Sequence, residues 1–183
     1  MNRIRRRFDL GKRRRIGFVK YDVHTFRPSE FSREEIGKCL SVIKNGSAVD
    51  FASASKQLPI ARIVAVVRTE KEIVGVGVIK RPRPQYASKI ARKSEFPFDV
   101  NMLELGYVAR EPSHRGHNLS EKVVSKLLFV LPDVPLFATT SNEKMKEVLK
   151  AAGFVQRGKG WCGTRNNRLS LWVKEAEQVS RAE

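Results

Sequence analysis

The sequence predicts one folded domain that mixes helices and strands, in the α+β or α/β class, and two observations carry this prediction. Two β-rich runs, 60–67 and 73–79, are separated by a short charged link, which is typical of an antiparallel hairpin. Residues 102–131 have the pattern of a strand, a turn and an amphipathic helix, which is typical of a crossover unit. A chain that combines hairpins with crossovers forms a mixed sheet.

The first part of the chain predicts a strand followed by two helices. Apolar residues largely alternate with polar ones within 16–26, as in a half-buried strand. Ser32 and Glu35 have the spacing of a capping box, so a helix begins after Ser32, and Gly46 ends it. A shorter helix is expected over 50–58, before the hairpin.

Residues 80–99 interrupt this regularity. Three prolines and six basic residues predict a long basic loop, with at most a short helix near 87–91. After the central crossover, a buried strand, a helix capped by Asn142 and a closing antiparallel strand pair are expected in turn, at 134–140, 142–152, 154–157 and 169–173.

The length of 183 residues suffices for one domain with a substantial core. We expect a basic arm at 1–15, one domain at 16–175 that includes the 80–99 loop as an insertion, and a tail at 176–183. The formal net charge is +17, which favours an anionic partner such as nucleic acid, an acidic surface or a phosphorylated ligand.

The arm and the loop hold most of the candidate contacts to nucleic acid or another acidic partner. Basic side chains bind phosphates in a salt-sensitive way that does not depend on base sequence. A solvated tail and a targeting peptide are the alternatives for the arm. The candidate contacts are Arg5, Arg6, Arg7, Arg13, Arg14, Arg15, Arg83, Lys89, Arg92 and Lys93.

Several other classes of protein are disfavoured by composition. The two cysteines, Cys39 and Cys162, form no metal-ligand spacing with histidine, so no metal site is expected. No apolar run approaches the roughly 18 residues of a membrane-spanning helix. No signal peptide is apparent, so a cytoplasmic location is the default expectation.

The most informative stretch is the turn within 102–131. Pro112, Gly116 and Asn118 favour a turn, and the apolar face of a helix begins at Leu119. The first N–H groups of a helix lack intrahelical acceptors and lie at the positive end of the helix dipole. We therefore expect a site for an anion, such as a coenzyme pyrophosphate, between this strand and this helix.

The order of elements and this turn resemble the GNAT superfamily of acyl-coenzyme A-dependent N-acyltransferases. The family signature, Arg/Gln-x-x-Gly-x-Gly/Ala, matches residues 115–120 through Arg115, with Gly116 as the glycine that commonly follows it. Asn118 and Ser120 stand where the family prefers glycine or alanine. The segment from Asn142 to Gly153-Phe154 resembles the downstream part of the family. The resemblance covers roughly residues 60–173.

This resemblance implies an α+β fold, an α/β sandwich in which helices flank a mixed, mostly antiparallel central sheet. It implies a V-shaped splay between the fourth and fifth strands. The implied cofactor is acetyl-coenzyme A or another acyl-coenzyme A, with pantetheine along the strand edge near Tyr107–Ala109. The implied cofactor contacts are Tyr107, Val108, Ala109, His114, Arg115, Gly116, His117, Asn118, Leu119, Ser120 and Asn142.

The family mechanism implies direct transfer of the acyl group to an amine. Glu104 is the first candidate for the general base, because its strand commonly carries a family glutamate; a surface or paired strand glutamate is the alternative. Strand alternation places Tyr107 on the opposite face. The family's usual acid, a tyrosine, is replaced by Leu149, so Ser141, Asn142, Tyr107, Cys162 or water would have to donate the proton. His114 and His117 are candidate bases or phosphate contacts, or ordinary turn histidines.

Three hypotheses follow. The first is an N-acetyltransferase whose acceptor is a nucleic acid or something bound to one, since a free cationic acceptor would be repelled by the charge of the chain. The second is a GNAT-like fold that binds nucleic acid or regulates without transfer. The third is an unrelated α/β protein whose turn binds another phosphate. The sequence leaves open whether the protein forms a homodimer.

Overall fold

A computed structural model describes residues 19–46, 50–99, 101–164 and 166–176. The predicted contacts of the arm, from Arg5 to Arg15, lie outside these residues. Within them, seven strands and five α-helices follow one another as β1 (Asp22–Phe26), α1 (Arg33–Asn45), α2 (Phe51–Gln57), β2 (Ile63–Arg68), β3 (Ile73–Lys80), α3 (Pro84–Ser94), β4 (Leu103–Arg110), α4 (Leu119–Val130), β5 (Leu136–Thr140), α5 (Glu143–Ala151), β6 (Val155–Cys162) and β7 (Arg168–Lys174).

The described strands form one sheet in the order β1-β2-β3-β4-β5-β7-β6. All neighbouring pairs are antiparallel except β4 and β5, which are parallel. The parallel pair follows from the crossover through α4, because two parallel strands need a long connection. The predicted mixed, mostly antiparallel sheet flanked by helices is confirmed.

The pairing of β4 with β5 ends early. Cα partners are found only at Leu103 with Leu136 and at Glu104 with Phe137, although both strands continue beyond these residues. Beyond Glu104 the two strands are no longer paired, which is compatible with the splay expected between the fourth and fifth strands. A strand edge in the middle of the sheet is therefore left open on one side.

Helices cover both faces of the sheet. On one face, α4 and α5 bury Val123, Leu127 and Leu149 against the sheet, and on the other α1 buries Cys39 and Ile43. Alternating residues of β2 supply the two cores, because successive side chains of a strand point to opposite faces. Burial also raises the pKa of the Cys39 thiol to about 12.

Close packing of α4 on β3 depends on a glycine. A Cβ atom at Gly77 would collide with the Val123 side chain of α4. By contrast, a Cβ atom at Gly37 in α1 would meet nothing within 4 Å. The sequence pattern alone does not distinguish these two glycines.

The capping box of α1 is formed as predicted. The Ser32 hydroxyl accepts a hydrogen bond from the backbone N–H of Glu35 at 3.2 Å, and the Glu35 carboxylate accepts one from the backbone N–H of Ser32 at 3.0 Å. Arg68 of β2 donates to the same carboxylate at 2.7 Å. The hydrogen bond from the Ser32 backbone, followed by that from Arg68, lowers the pKa of Glu35.

The region predicted as a basic loop, 80–99, contains α3, which is longer than the short helix expected near 87–91. Pro84 is the first residue of α3, where its missing N–H has no intrahelical acceptor to lose, so this proline starts the helix. Ala87 and Ile90, one turn apart, form its buried side. None of the described helices is long and apolar enough to cross a membrane.

Candidate active site

Two cavities lie where β4 and β5 separate. One, of about 410 Å³, contacts Val108 and Ala109 of β4 and Thr140 of β5. The other, of about 310 Å³, contacts Gly106 and Tyr107 of β4 and Thr139 of β5. Consecutive residues of the same two strands line both cavities, so the cavities meet at the gap in the sheet. We call the larger one the groove and the smaller one the pocket.

An irregularity in β4 determines which side chains reach the pocket. Tyr107 has a positive φ of 51°, and the register with β3 shifts between Val76 and Val78 at the same place. A bulge of this kind reverses the alternation of side chains. Leu105 therefore packs with α4, whereas Tyr107 packs on the α1 face. The expectation that Tyr107 and Glu104 lie on opposite faces is wrong, because both line the pocket.

The groove ends at the beginning of α4. Gly116 has φ of 88° and Asn118 has φ of 52°, so the turn needs one glycine and one residue that tolerates the left-handed region. Asn118 is the N-cap residue, yet its side chain makes no capping hydrogen bond. The first N–H groups of α4 are therefore not satisfied by a cap, in contrast to α5, where the Asn142 side chain accepts from the N–H of Met145 at 3.1 Å.

Charged residues of the groove favour an anionic occupant. Three cationic side chains line it, from Arg110, Arg115 and Lys144, against one carboxylate, that of Glu121. The positive end of the α4 dipole adds to this field. Such a cradle of uncapped N–H groups and cations is a typical phosphate site.

The structure brings most of the predicted cofactor residues together. Those that line the groove are Val108, Ala109, Arg115, Gly116, Asn118, Leu119, Ser120 and Asn142. His114 and His117 do not belong to this lining. The Nδ1 atom of His114 lies 3.0 Å from the Tyr21 hydroxyl, and the His117 ring lies 5.0 Å from the Tyr21 ring. Both histidine side chains thus pack on Tyr21, the residue just before β1. The proposed cofactor contacts below therefore do not include them.

An ion pair is part of the pocket's lining. Lys80, the last residue of β3, and Glu104 of β4 are Cα partners across the antiparallel ladder, and the Nζ atom of Lys80 contacts Oε2 of Glu104. The two side chains are only 7% and 9% exposed. Burial raises the pKa of Glu104, and the ammonium of Lys80 opposes this effect.

Two tyrosines surround this pair. The Tyr86 hydroxyl of α3 lies 3.0 Å from Oγ1 of Thr139, and the Tyr107 hydroxyl lies 3.1 Å from Oγ of Ser53. Burial raises the pKa of both tyrosines. Their hydroxyl groups therefore stay protonated near neutral pH and can donate hydrogen bonds to a negative charge that develops at the gap.

Solved structures with the same fold were found over most of the chain, although no protein-family model and no curated protein matches the sequence. A protein from Corynebacterium glutamicum, described as histone acetyltransferase HPA2 and related acetyltransferase, is 16% identical, with a TM-score of 0.66 over 86% of this chain and 98% of that one. The ribosomal-protein-S18-alanine N-acetyltransferase from Escherichia coli is 10% identical, with a TM-score of 0.63 over 90% and 99%. The protein yncA from Salmonella typhimurium, whose structure contains its cofactor acetyl-CoA, is 14% identical, with a TM-score of 0.59 over 90% and 98%.

Acetyltransferases of the GNAT family are among the other matched structures. The chain has the GNAT fold. At these identities the likeness concerns the fold, and the chemistry has to be argued from the residues of this chain.

The residues of this GNAT fold suit an acyl-coenzyme A. The uncapped start of α4 and the cations of the groove match a pyrophosphate, and the open edge of β4 offers backbone groups to an amide chain. Bound there, the coenzyme would supply an acyl thioester to the gap between groove and pocket. Asn118 and Ser120 stand where the family signature has glycine or alanine. Both line the groove, and the turn forms with these residues in place.

Two predicted donors do not reach the gap. Ser141 accepts a hydrogen bond from the Asn167 side chain at 2.7 Å and lines neither cavity. The position of the family's tyrosine, Leu149, is fully buried in the core. Cys162 lies on a separate surface depression, with its thiol against the carbonyl of Gly163. Ser141 and Cys162 are therefore poor candidates for proton donors.

The pocket contains functional groups that the sequence does not single out. Lys80, Tyr86, Ser53 and Thr139 come from four different elements and meet only through the tertiary fold. The one local signal is Lys80, a charged residue at the end of a fully buried strand. A charge in such a position is costly unless it is paired, which points to a partner on the neighbouring strand.

Proposed function

We propose that this protein is an acyl-coenzyme A-dependent N-acyltransferase. The observation that carries the proposal is the uncapped start of α4, which faces a cationic groove where β4 and β5 separate. The pyrophosphate would bind the N–H groups of the turn from Gly116 to Ser120. Pantetheine would pair with the open edge of β4 at Val108 and Ala109, which directs the thioester toward the pocket.

Residues of the pocket can carry out direct transfer. The nitrogen of the acceptor amine attacks the thioester carbonyl, the carbon–sulfur bond breaks, and the coenzyme leaves as a thiolate. Glu104 receives the proton that the nitrogen loses, directly or through water. The hydroxyl groups of Tyr86 and Tyr107 lie on the same cavity and can stabilise the developing charge or protonate the thiolate.

The acceptor is proposed to be an amine on a nucleic acid, or on a molecule or protein associated with one. Helix α3 borders the pocket through Tyr86, its N-cap residue Arg83 also lines the pocket, and the helix contains no acidic residue. Its exposed cations include Lys89, Arg92 and Lys93. Among proteins of the same fold, one is named for a ribosomal protein and one is described as histone acetyltransferase HPA2 and related acetyltransferase.

Coenzyme binding is tested by adding one negative charge to the groove. Ser120→Glu places a carboxylate in the lining beside the expected pyrophosphate, and Ser125→Glu places the same charge on an exposed position of α4 outside it. At an effective dielectric constant near 20, repulsion between the charges costs about 1–3 kcal/mol, or roughly 10- to 100-fold in Kd. Calorimetry with acetyl-coenzyme A should show this loss for Ser120→Glu alone. Equal affinities for both variants would contradict the assigned groove.

Acceptor choice is tested by measuring acetyl transfer to tRNA, DNA and basic proteins, with small cationic amines as the control. We expect transfer to one of the nucleic-acid-associated acceptors, weakened by salt. Replacing Lys89, Arg92 and Lys93 together by glutamine should raise the KM for that acceptor and leave coenzyme affinity unchanged. Efficient turnover of small cationic amines only would refute this acceptor class.

A second function, a GNAT fold that binds nucleic acid without transfer, is favoured by one observation. Leu149 replaces the tyrosine expected as the general acid and is fully buried. If acetyl-coenzyme A at millimolar concentration does not bind in calorimetry, this alternative replaces the first. Binding of the coenzyme together with acyl transfer to any amine excludes it.

A further inference from the structure

We infer that Lys80 is a positioning residue for the acyl transfer, and that its ammonium group keeps the Glu104 carboxylate ionised and fixed at the gap so that this carboxylate can accept the proton of the amine. The inference rests on the proposed function. It assigns a role to Lys80 of β3, the strand beside that of Glu104. Lys80 itself neither takes up nor gives the proton.

The geometry of the pair supports a fixed carboxylate. Lys80 and Glu104 face each other directly in the β3–β4 ladder, so their side chains leave the sheet on the same face. A Cβ atom at Gly106 would lie 3.3 Å from Oε1 of Glu104 and 3.5 Å from Cε of Lys80. Because Gly106 has no side chain, the pair has room beside it. The ion pair nevertheless lies close to the backbone of Gly106, which limits the movement of the carboxylate.

Aromatic rings limit the position of the ammonium group. The Nζ atom of Lys80 lies 5.0 Å from the centroid of the Tyr107 ring and 5.9 Å from that of the Tyr86 ring. Contacts of a cation with ring faces at this range are attractive. The ammonium group is therefore held between two rings and a carboxylate.

Ionisation of Glu104 depends on this arrangement. Burial is the largest influence on the carboxyl group and disfavours the charged form, and Lys80 is the nearest opposing charge. A protonated carboxyl group cannot act as a base. The charged and titratable groups that line the pocket around Glu104 come from several elements: Lys80 of β3, Arg83 before α3, Tyr86 of α3, Tyr107 of β4 and Asp50 before α2.

A buried ion pair contributes little to stability compared with apolar residues of the same volume. A purely structural role therefore does not account well for its position in a cavity at the gap. A role in proton transfer accounts for the position of the pair, because this transfer needs a carboxylate that is both ionised and partly desolvated.

The first experiment measures the ionisation of the Glu104 carboxyl group in the absence of coenzyme and acceptor. The carboxyl carbon of Glu104 is followed by ¹³C NMR as a function of pH in the full-length protein, with Glu104→Gln to assign its signal. Lys80→Met should raise the titration midpoint to above neutral pH, and Lys80→Arg should restore it. Lys126→Met removes the same charge from α4, outside both cavities, and should leave the midpoint unchanged.

The second experiment measures transfer. Lys80→Met should lower kcat about 10²–10⁴-fold at neutral pH, the range typical of general-base catalysis, with little change in the KM for acetyl-coenzyme A. Its activity should recover partly as pH rises, since the carboxyl group then ionises. Lys80→Arg should retain most of the activity.

The outcomes separate the two proposals. If wild-type protein transfers no acyl group, the proposed function fails, while the NMR titration still tests the pair. If a folded Lys80→Met variant titrates and turns over like the wild type, the inference fails and the proposed function stands. Should Lys80→Met not fold, Lys80→Gln keeps a hydrogen-bond donor without the charge, and an unchanged midpoint in that variant equally overturns the inference.

Discussion

The strongest test of the pocket's structure is a double-mutant cycle on the buried ion pair. Lys80→Met or Glu104→Met alone leaves the other group of the pair without its counter-charge at a site less than 10% exposed, where it must either stay charged at a cost or become neutral. Breaking a buried pair in this way costs about 3–5 kcal/mol, a large part of the 5–15 kcal/mol that typically stabilises a protein. For a chain of this size the melting temperature should fall by about 6–20 °C.

The double variant should behave differently from either single one. Methionine is unbranched like lysine and glutamate, so Lys80→Met with Glu104→Met fills the same space without any charge. We expect its free energy of unfolding to be equal to or greater than that of the wild type, by about 0–4 kcal/mol.

Urea unfolding at pH 7, checked by thermal melting, measures all four proteins. The cost of Lys80→Met should shrink at pH 5, because the carboxyl group left behind becomes protonated more readily in the buried site. A single variant that loses less than about 1 kcal/mol, the range of an exposed ion pair, would show that the pair is not buried. A double variant as unstable as the worse single one would refute the ion-pair reasoning.

Three further predictions concern the rest of the fold. Gly77→Ala should destabilise the protein by about 1–3 kcal/mol in urea unfolding, because the added methyl group overpacks β3 against α4. Gly37→Ala should instead stabilise it by about 0.5–1 kcal/mol. Equal effects of the two substitutions would contradict the packing of α4 on β3. Iodoacetamide at pH 8 should label exposed Cys162 and spare buried Cys39 until denaturant is added, as mass spectrometry can verify. Glu35→Gln should lower the urea midpoint more at pH 7 than at pH 3. A carboxyl group with a lowered pKa stabilises the fold above its ordinary value of 4.5 and loses that contribution as pH falls through the folded pKa. A difference that does not change with pH would refute this.

Local signals were enough to predict most elements. The Ser32 capping box, the hairpin of β2 and β3, and the strand–turn–helix around Gly116 each depend on residues a few positions apart. Such patterns predict where an element begins and ends because capping, turn formation and amphipathic burial act over short distances along the chain. The full extent of α3 does not follow from the local pattern, because prolines usually break helices, whereas Pro84 starts this one.

By itself, then, the sequence determined the GNAT-like order of elements and the turn at residues 115–120 for which anion binding is proposed. Only the tertiary structure decided the pocket. Register across β3 and β4 places Lys80 opposite Glu104, and one bulge moves Tyr107 to their side. Packing of α3 brings Tyr86 to the same gap. These contacts join residues up to 53 positions apart, from Tyr86 to Thr139, and depend on how strands pair and helices dock, which no local pattern in the chain encodes.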